Sequence, residues 1–287
     1  MKLNKKHKIL IVGLGLIGGS YAKALKKKGY FVGAVSDKQS DIDFGLKEGI
    51  IDDGKVNFDA DYIGKFNLIV FALYPKIFTK WIKTYGEYIK PGTVITDVTG
   101  VKSVIVDYIQ THIPHGVEFI SAHPMAGREV SGVENSDDGI FRDANYIVVP
   151  TARNSDGAIE LCKDLGYAMG FSNISVLSPE EHDEMIAFLS QLTHCIAVTL
   201  MCANDNENLV KYTGDSFRDL TRIAKINENM WCELFMMNKA KLLEEMDAFK
   251  STFDKLYDAL LFDDTETMKD MMRLSTKRRK TFEVNKK

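Results

Sequence analysis

Two stretches of this chain carry residue types whose spacing suits chemistry. Gly13-Leu14-Gly15-Leu16-Ile17-Gly18 is a G-x-G-x-x-G that follows the apolar run Lys8 to Val12 (KILIV) and opens a helix-like segment. In that context Gly13 serves a tight turn, Gly15 lets a pyrophosphate approach the backbone, and Gly18 lets the helix pack closely on the strand. Free N–H groups at the helix start, around Leu16 and Ile17, then hold phosphate oxygens. Asp37 lies nineteen residues beyond Gly18, the spacing at which a carboxylate takes ribose hydroxyls. A carboxylate there repels a 2′-phosphate, so the expected cofactor is NAD rather than NADP, with Lys38 beside it softening the preference.

The second stretch is Ser121-Ala122-His123-Pro124-Met125-Ala126-Gly127-Arg128-Glu129-Val130-Ser131-Gly132. His123 is placed just past a strand end, where a doubly wound sheet opens its ligand crevice. An imidazole there can hold a hydroxyl proton while hydride leaves the same carbon. A hydrogen-bonded structural histidine is the other reading. Cys162, Cys195, Cys202 and Cys232 form no C-x-x-C pair and match no zinc spacing, so reduced thiols and no metal are expected.

The elements that must position these residues are legible in outline. Strand-like runs fall at Lys8–Val12, Tyr30–Val35, Asn67–Leu73, Thr93–Asp97, Glu118–Ala122 and Tyr146–Val149, with helix-like segments such as Phe78–Ile89 between several of them. Strands alternating with helices predict an α/β fold, a doubly wound parallel-sheet (Rossmann) domain over residues 1–178. The pattern changes at Ser178-Pro179. Beyond it no proline follows, and Met185, Leu189, Leu192, Ile196 and Leu200 keep helical spacing. Leu242, Met246, Phe249, Phe253, Leu256 and Leu260 alternate by four and three, the spacing of a helix in a narrow seam. An all-helical domain over 179–287 that also makes a homodimer is therefore expected, with an ordinary core helix as the alternative for the heptads.

Composition narrows the rest. Among 287 residues, 45% are hydrophobic and 27% charged, as in soluble globular proteins. Thirty-seven basic residues against 40 acidic ones give a net charge of −3, without the basic surplus of a nucleic-acid binder. No run of consecutive apolar residues reaches membrane-span length, and the first eight residues lead straight into a strand without a signal-peptide pattern. A cytoplasmic protein with a small-molecule substrate is expected, binding neither membrane nor nucleic acid.

The chain resembles the prephenate dehydrogenase family, which includes arogenate dehydrogenases. HPMAGREVSG is similar to that family's HP-[IM]-AG-x-E-x-SG signature. Asp97-Val98-Thr99-Gly100-Val101-Lys102, Ser190-Gln191-Leu192-Thr193-His194, Thr221-Arg222-Ile223-Ala224 and Trp231 also correspond. The resemblance implies NAD-dependent oxidative decarboxylation of prephenate to 4-hydroxyphenylpyruvate, in tyrosine biosynthesis. It implies that His123 takes the C4 hydroxyl proton and that Arg222 pairs with a substrate carboxylate. Gln191 and His194 then line the pocket, Trp231 walls it, and Glu129 gates its mouth. One position departs from the pattern. Many members carry a serine where this chain has Gly100, and Thr99 is the nearest residue to supply a hydroxyl. Arogenate dehydrogenase, another two-domain NAD-dependent hydroxyacid dehydrogenase and an inactive NAD sensor are the competing readings.

Overall fold

The computed structural model describes residues 2–282. Nine strands are present among them: β1 (Lys8–Val12), β2 (Phe31–Val35), β3 (Asp53–Lys55), β4 (Leu68–Phe71), β5 (Val94–Asp97), β6 (Glu118–Phe119), β7 (Ser121–Pro124), β8 (Asn145–Val149) and β9 (Asn173–Val176). The α-helices are α1 (Leu16–Lys27), α2 (Gln39–Lys47), α3 (Ala60–Ile63), α4 (Pro75–Tyr85), α5 (Ser103–His112), α6 (Asp156–Met169), α7 (Pro179–Ile186), α8 (Thr193–Cys202), α9 (Asp215–Thr221), α10 (Glu228–Met237), α11 (Lys239–Leu261) and α12 (Thr265–Lys280). Strands β1 to β6 form one parallel sheet in the order β3-β2-β1-β4-β5-β6.

Alternation along the central strands explains why both faces of this sheet are covered. Ile9 and Ile11 of β1, with Leu68 and Val70 of β4, enter one apolar cluster; Leu10 and Val12, with Ile69 and Phe71, enter the other. A strand buried on both sides needs an unbroken apolar run, and KILIV and LIVF supply it.

The run Glu118–Ala122 is not one strand, as its pattern predicts, but two. Ile120 still donates its N–H to Ile95, and the chain then leaves the parallel sheet. β7 pairs antiparallel with β8 in a second, three-stranded sheet completed by β9. His123 thus lies inside β7, opposite Ile147, rather than beyond a strand end. Strand β9 has no sequence forecast: its polar–apolar alternation, Asn173-Ile174-Ser175-Val176, spans only four residues, and three of them are exposed.

No strand follows β9 among the described residues. Ser178 caps α7 with a capping box, its side chain accepting from the Glu181 N–H while Glu181 reaches back to the Ser178 N–H. A π-helical turn at Ala187–Leu192 joins α7 to α8, making one helical stretch from Pro179 to Cys202. That stretch is long and apolar enough, by length and composition, to cross a membrane, although the sequence shows no uninterrupted apolar run of that length. Only 28% of its apolar window is buried, and Met185, Phe188 and Leu189 are exposed.

By packing, the chain divides into two compact units at Asn238/Lys239. In the second, α11 packs against α12. Of its heptad residues Leu242 is buried, whereas Phe249, Phe253, Leu256 and Leu260 are exposed.

Candidate active site

The glycine turn after β1 has the shape its three glycines call for. Gly13 holds φ at +97°, and a Cβ there would stand 2.5 Å from the Ala72 carbonyl oxygen. A Cβ at Gly18 would meet the Gly13 carbonyl oxygen at 1.9 Å, so the close packing of α1 on the turn needs glycine. At Gly15 the space is open, with nothing within 4 Å. Gly15 is also the N-cap of α1, with no side chain capping the helix and no acidic residue in its first turn. N–H groups around Leu16 and Ile17 therefore face an open, electropositive cradle. Asp37 follows β2 by two residues and is exposed. These residues fit the pyrophosphate and ribose of a dinucleotide.

Behind His123 lies a buried polar network that the sequence did not disclose. The His123 Nδ1 lies 2.9 Å from His182 Nε2, and His182 Nδ1 lies 2.8 Å from Asp183 Oδ1. His182 and Asp183 are both buried. Asp183 also accepts the N–H groups of Lys102 and Ser103, each at 2.8 Å, at the start of α5. Burial pushes the Asp183 carboxyl up, but the bonds from His182, Ser103 and Lys102 outweigh it and hold the group below its usual range. Burial, the neighbouring His182 and Lys102 together push His123 well below an ordinary histidine. His182 is lowered too, by burial, against the pull of Asp183. All three groups are thus in their basic forms at neutral pH.

A second knot fixes the backbone on either side of His123. Asp97 and Lys102 are fully buried and paired, Nζ lying 3.0 Å from Oδ2. Asp97 Oδ1 accepts from the Ser121 hydroxyl at 2.6 Å and the Ala122 N–H at 3.1 Å. Lys102 Nζ donates to the Ala122 carbonyl at 2.6 Å. The residue preceding His123 is therefore bonded at both its N–H and its C=O. Burial lowers the Lys102 pKa, opposed by Asp97 beside it. Thr99 has a task different from the hydroxyl expected next to His123. Its side chain donates to the Asp97 carboxylate and lies 3.2 Å from the Val101 carbonyl.

Gly100 leaves a small opening in front of this knot. A Cβ there would stand 3.6 Å from Leu234 and 3.9 Å from the His123 ring, ordinary contact distances. Leu234 belongs to α10, which brings Trp231 one turn away. Trp231 lies tilted against His194, ring centroids 3.7 Å apart and planes 30° from parallel, and the His194 Nδ1–H donates to the Ser190 carbonyl at 2.8 Å. Burial lowers His194, countered in part by that bond and by Glu129, while Arg222 lowers it further. Arg222 Nη1 meets Glu129 Oε1 at 2.6 Å, their side chains 65% and 37% exposed. Glu129, Arg222, His194 and Trp231 thus come together.

Gln191 does not join them. It is buried, its amide donating to the Leu234 carbonyl at 3.1 Å and its oxygen accepting from Asn238 at 2.9 Å. The spacing of three from His194 predicts a shared face on an α-helix, but the π turn changes the helical phase just before it. Among the described residues no group of acids, histidines and cysteines is placed to hold a metal ion.

Comparisons with known proteins cover nearly the whole chain. Residues 21–171 match a family described as the prephenate dehydrogenase nucleotide-binding domain, and residues 178–274 match the prephenate dehydrogenase dimerization domain. A prephenate dehydrogenase of Bacillus subtilis (strain 168) is 32% identical over 272 residues, which is 92% of this chain and 72% of that protein. One from Lactococcus lactis subsp. cremoris (strain MG1363) is 32% identical over 287 residues, 97% of this chain and 78% of its own length. The crystal structure of prephenate dehydrogenase from A. aeolicus, in complex with hydroxyphenyl propionate and NAD+, has a TM-score of 0.87 at 26% identity. It covers 98% of this chain and 100% of its own.

Proposed function

The chain belongs to the prephenate dehydrogenase family, and on that premise we propose that its reaction is carried by His123 and Arg222. It is an NAD-dependent oxidoreductase that converts prephenate to 4-hydroxyphenylpyruvate with loss of CO2, a step toward tyrosine. Prephenate is a cyclohexadienol, and aromatisation of its ring drives the decarboxylation. The protein has to orient the ring and handle one proton.

NAD, when held by Gly13, Gly15, Gly18 and the α1 N-terminus, supplies the acceptor for hydride from C4. Asp37 takes the ribose hydroxyls. His123 receives the proton of the C4 hydroxyl. Arg222 pairs with a substrate carboxylate, for which a guanidinium fork is directional, and Glu129 holds the fork until substrate displaces it. His194 and Trp231 line the wall. The observation that carries this reading is the position of Gly100, where a Cβ would lie within 4 Å of both the His123 ring and Leu234, one helical turn from Trp231. Proton acceptor and substrate wall therefore meet at one spot.

We also place the working form as a cytoplasmic homodimer, with a functional division near residue 178. The dimerization-domain match over 178–274 supports the division and the dimer, as do the exposed apolar faces of Pro179–Cys202 and of α11 for the dimer. The test of function is nicotinamide reduction with NAD or NADP against prephenate and arogenate in parallel, with the aromatic product identified. Turnover of prephenate with NAD is expected. Turnover of arogenate alone moves the substrate assignment, and silence with both, despite NAD binding, removes the dehydrogenase reading.

A further inference from the structure

The reading of His123 as proton acceptor leaves one requirement open: which of its two ring nitrogens carries the proton before substrate arrives. A neutral imidazole acts as a base only through its bare nitrogen, and the hydrogen bond made by the other nitrogen decides which one is bare. The contacts behind His123 form a chain with a single consistent direction. Asp183 is a carboxylate that already accepts two backbone N–H groups, so it accepts again from His182 Nδ1–H. A neutral His182 protonated on Nδ1 has a bare Nε2. That atom lies 2.9 Å from His123 Nδ1 and can only accept, so His123 Nδ1–H donates to it.

We propose that His182 and Asp183 are positioning residues that lock His123 into the Nδ1-protonated tautomer, leaving Nε2 bare for the substrate hydroxyl. The inference rests on the reading of His123 as acceptor. The proton balance is simple: the C4 hydroxyl proton passes to His123 Nε2, the Nδ1 proton stays where it is, and Asp183 remains a carboxylate. The charge formed on His123 is then met through His182 by the Asp183 carboxylate. Two features of this chain place that task on His182. Gly100 offers no side-chain hydroxyl to the His123 ring, and the Thr99 hydroxyl is bonded to Asp97. The lock is also anchored, since Asp183 bonds the first N–H groups of α5 and its carbonyl accepts from Asn238.

The test combines nitrogen NMR on protein labelled with 15N-histidine and steady-state kinetics, in His182→Phe and His182→Gln. In the unaltered protein at neutral pH, His123 is expected to show a protonated Nδ1 and a bare Nε2. His182→Phe keeps a ring but no acceptor. It should move the His123 proton to Nε2 and lower kcat by at least about tenfold, toward the roughly 10^4-fold cost of a wrongly tautomerised base in a hydrolase triad, with the prephenate KM little changed. His182→Gln keeps an acceptor oxygen, so it should restore Nδ1 protonation and much of kcat. A protonated Nε2 in the unaltered protein overturns the proposal, as does an unchanged kcat in His182→Phe or an equal loss in both variants. If His182→Phe does not fold, the tautomer in the unaltered protein and in His182→Gln decides. The NMR arm reads the tautomer whatever substrate the enzyme prefers, so a failed lock and a misassigned reaction give different results.

Discussion

Two ion pairs in this molecule do opposite work, and the difference is one of burial. Asp97 and Lys102 are both fully buried, and their pairing joins β5, the 97–102 loop and the start of β7. Glu129 and Arg222 make a shorter contact with their side chains 37% and 65% exposed. A pair removed from water cannot be exchanged, because either partner left alone is an uncompensated charge. A pair in water is worth about 0–1 kcal/mol, so another carboxylate can take one partner away at little cost. On the proposed roles, the first kind stands behind the proton acceptor His123 and the second where substrate would enter. Permanence and exchangeability are obtained from similar side chains by depth alone.

This contrast can be broken or sharpened by mutation. The largest effect should come from the group that the buried side exists to hold. His123→Asn should lower kcat by about 10^2–10^4-fold with NAD affinity unchanged, and near-normal turnover removes its role. Burial, His182 and Lys102 hold its pKa well below 6.5. Because the base works unprotonated, kcat should be flat from pH 6.5 upward and fall only well below it. An acid limb centred at or above pH 6.5 contradicts that sign.

Lys102→Met should cost about 3–5 kcal/mol in urea unfolding, since it strands the Asp97 carboxylate in the core. A loss below 1 kcal/mol erases the distinction between the two pairs. Arg222→Ala should do the reverse. Unfolding free energy should stay within about 1 kcal/mol, while the prephenate KM rises roughly 10- to 150-fold, the equivalent of the about 1.5–3 kcal/mol in a charged hydrogen bond. An unchanged KM takes Arg222 out of the site. The smallest effect is forecast for Gly100→Ser, whose side chain meets only ordinary contacts. Stability should move by less than about 0.5 kcal/mol, and kcat should rise a few-fold at most. Marked destabilisation would mean that the opening beside Leu234 is not there.

The cofactor half was more legible in the sequence than the network behind His123, for a physical reason. A nucleotide cradle is made of backbone, so it demands glycine at fixed short spacing, and Gly13, Gly15 and Gly18 show up as a local pattern. The His123 lock is made of side chains brought together by the fold. His182 and Asp183 lie some sixty residues beyond His123, with no local signature to couple them. Asp97 and Lys102 stood inside a recognised segment, yet nothing in five residues of spacing says that the lysine is buried. Gln191 was misplaced because helical periodicity assumes 3.6 residues per turn, and the Ala187–Leu192 π turn does not keep it. The β6–β7 break was hidden because Glu118–Ala122 reads as one strand, while the sheet it pairs with changes at Ile120.

That change of sheet has a consequence for how this chain can vary in length. Only three residues separate the end of β5's partner β6 from His123, and both ends are pinned, by Ile95 on one side and by Asp97, Lys102 and Ile147 on the other. One residue added here would shift His123 by about 3.3 Å and turn its ring to the opposite face of β7. The stretch from Met125 to Ala144 has no strand register to shift, running through loops and two short 3-10 turns before β8, with the buried Val133 and Phe141 as its anchors in the core. Insertions and deletions should therefore be absent between Phe119 and His123 and, where they occur nearby, fall beyond the signature that ends at Gly132, so that family members differ in the size of the later loop but not in the reach of the strand.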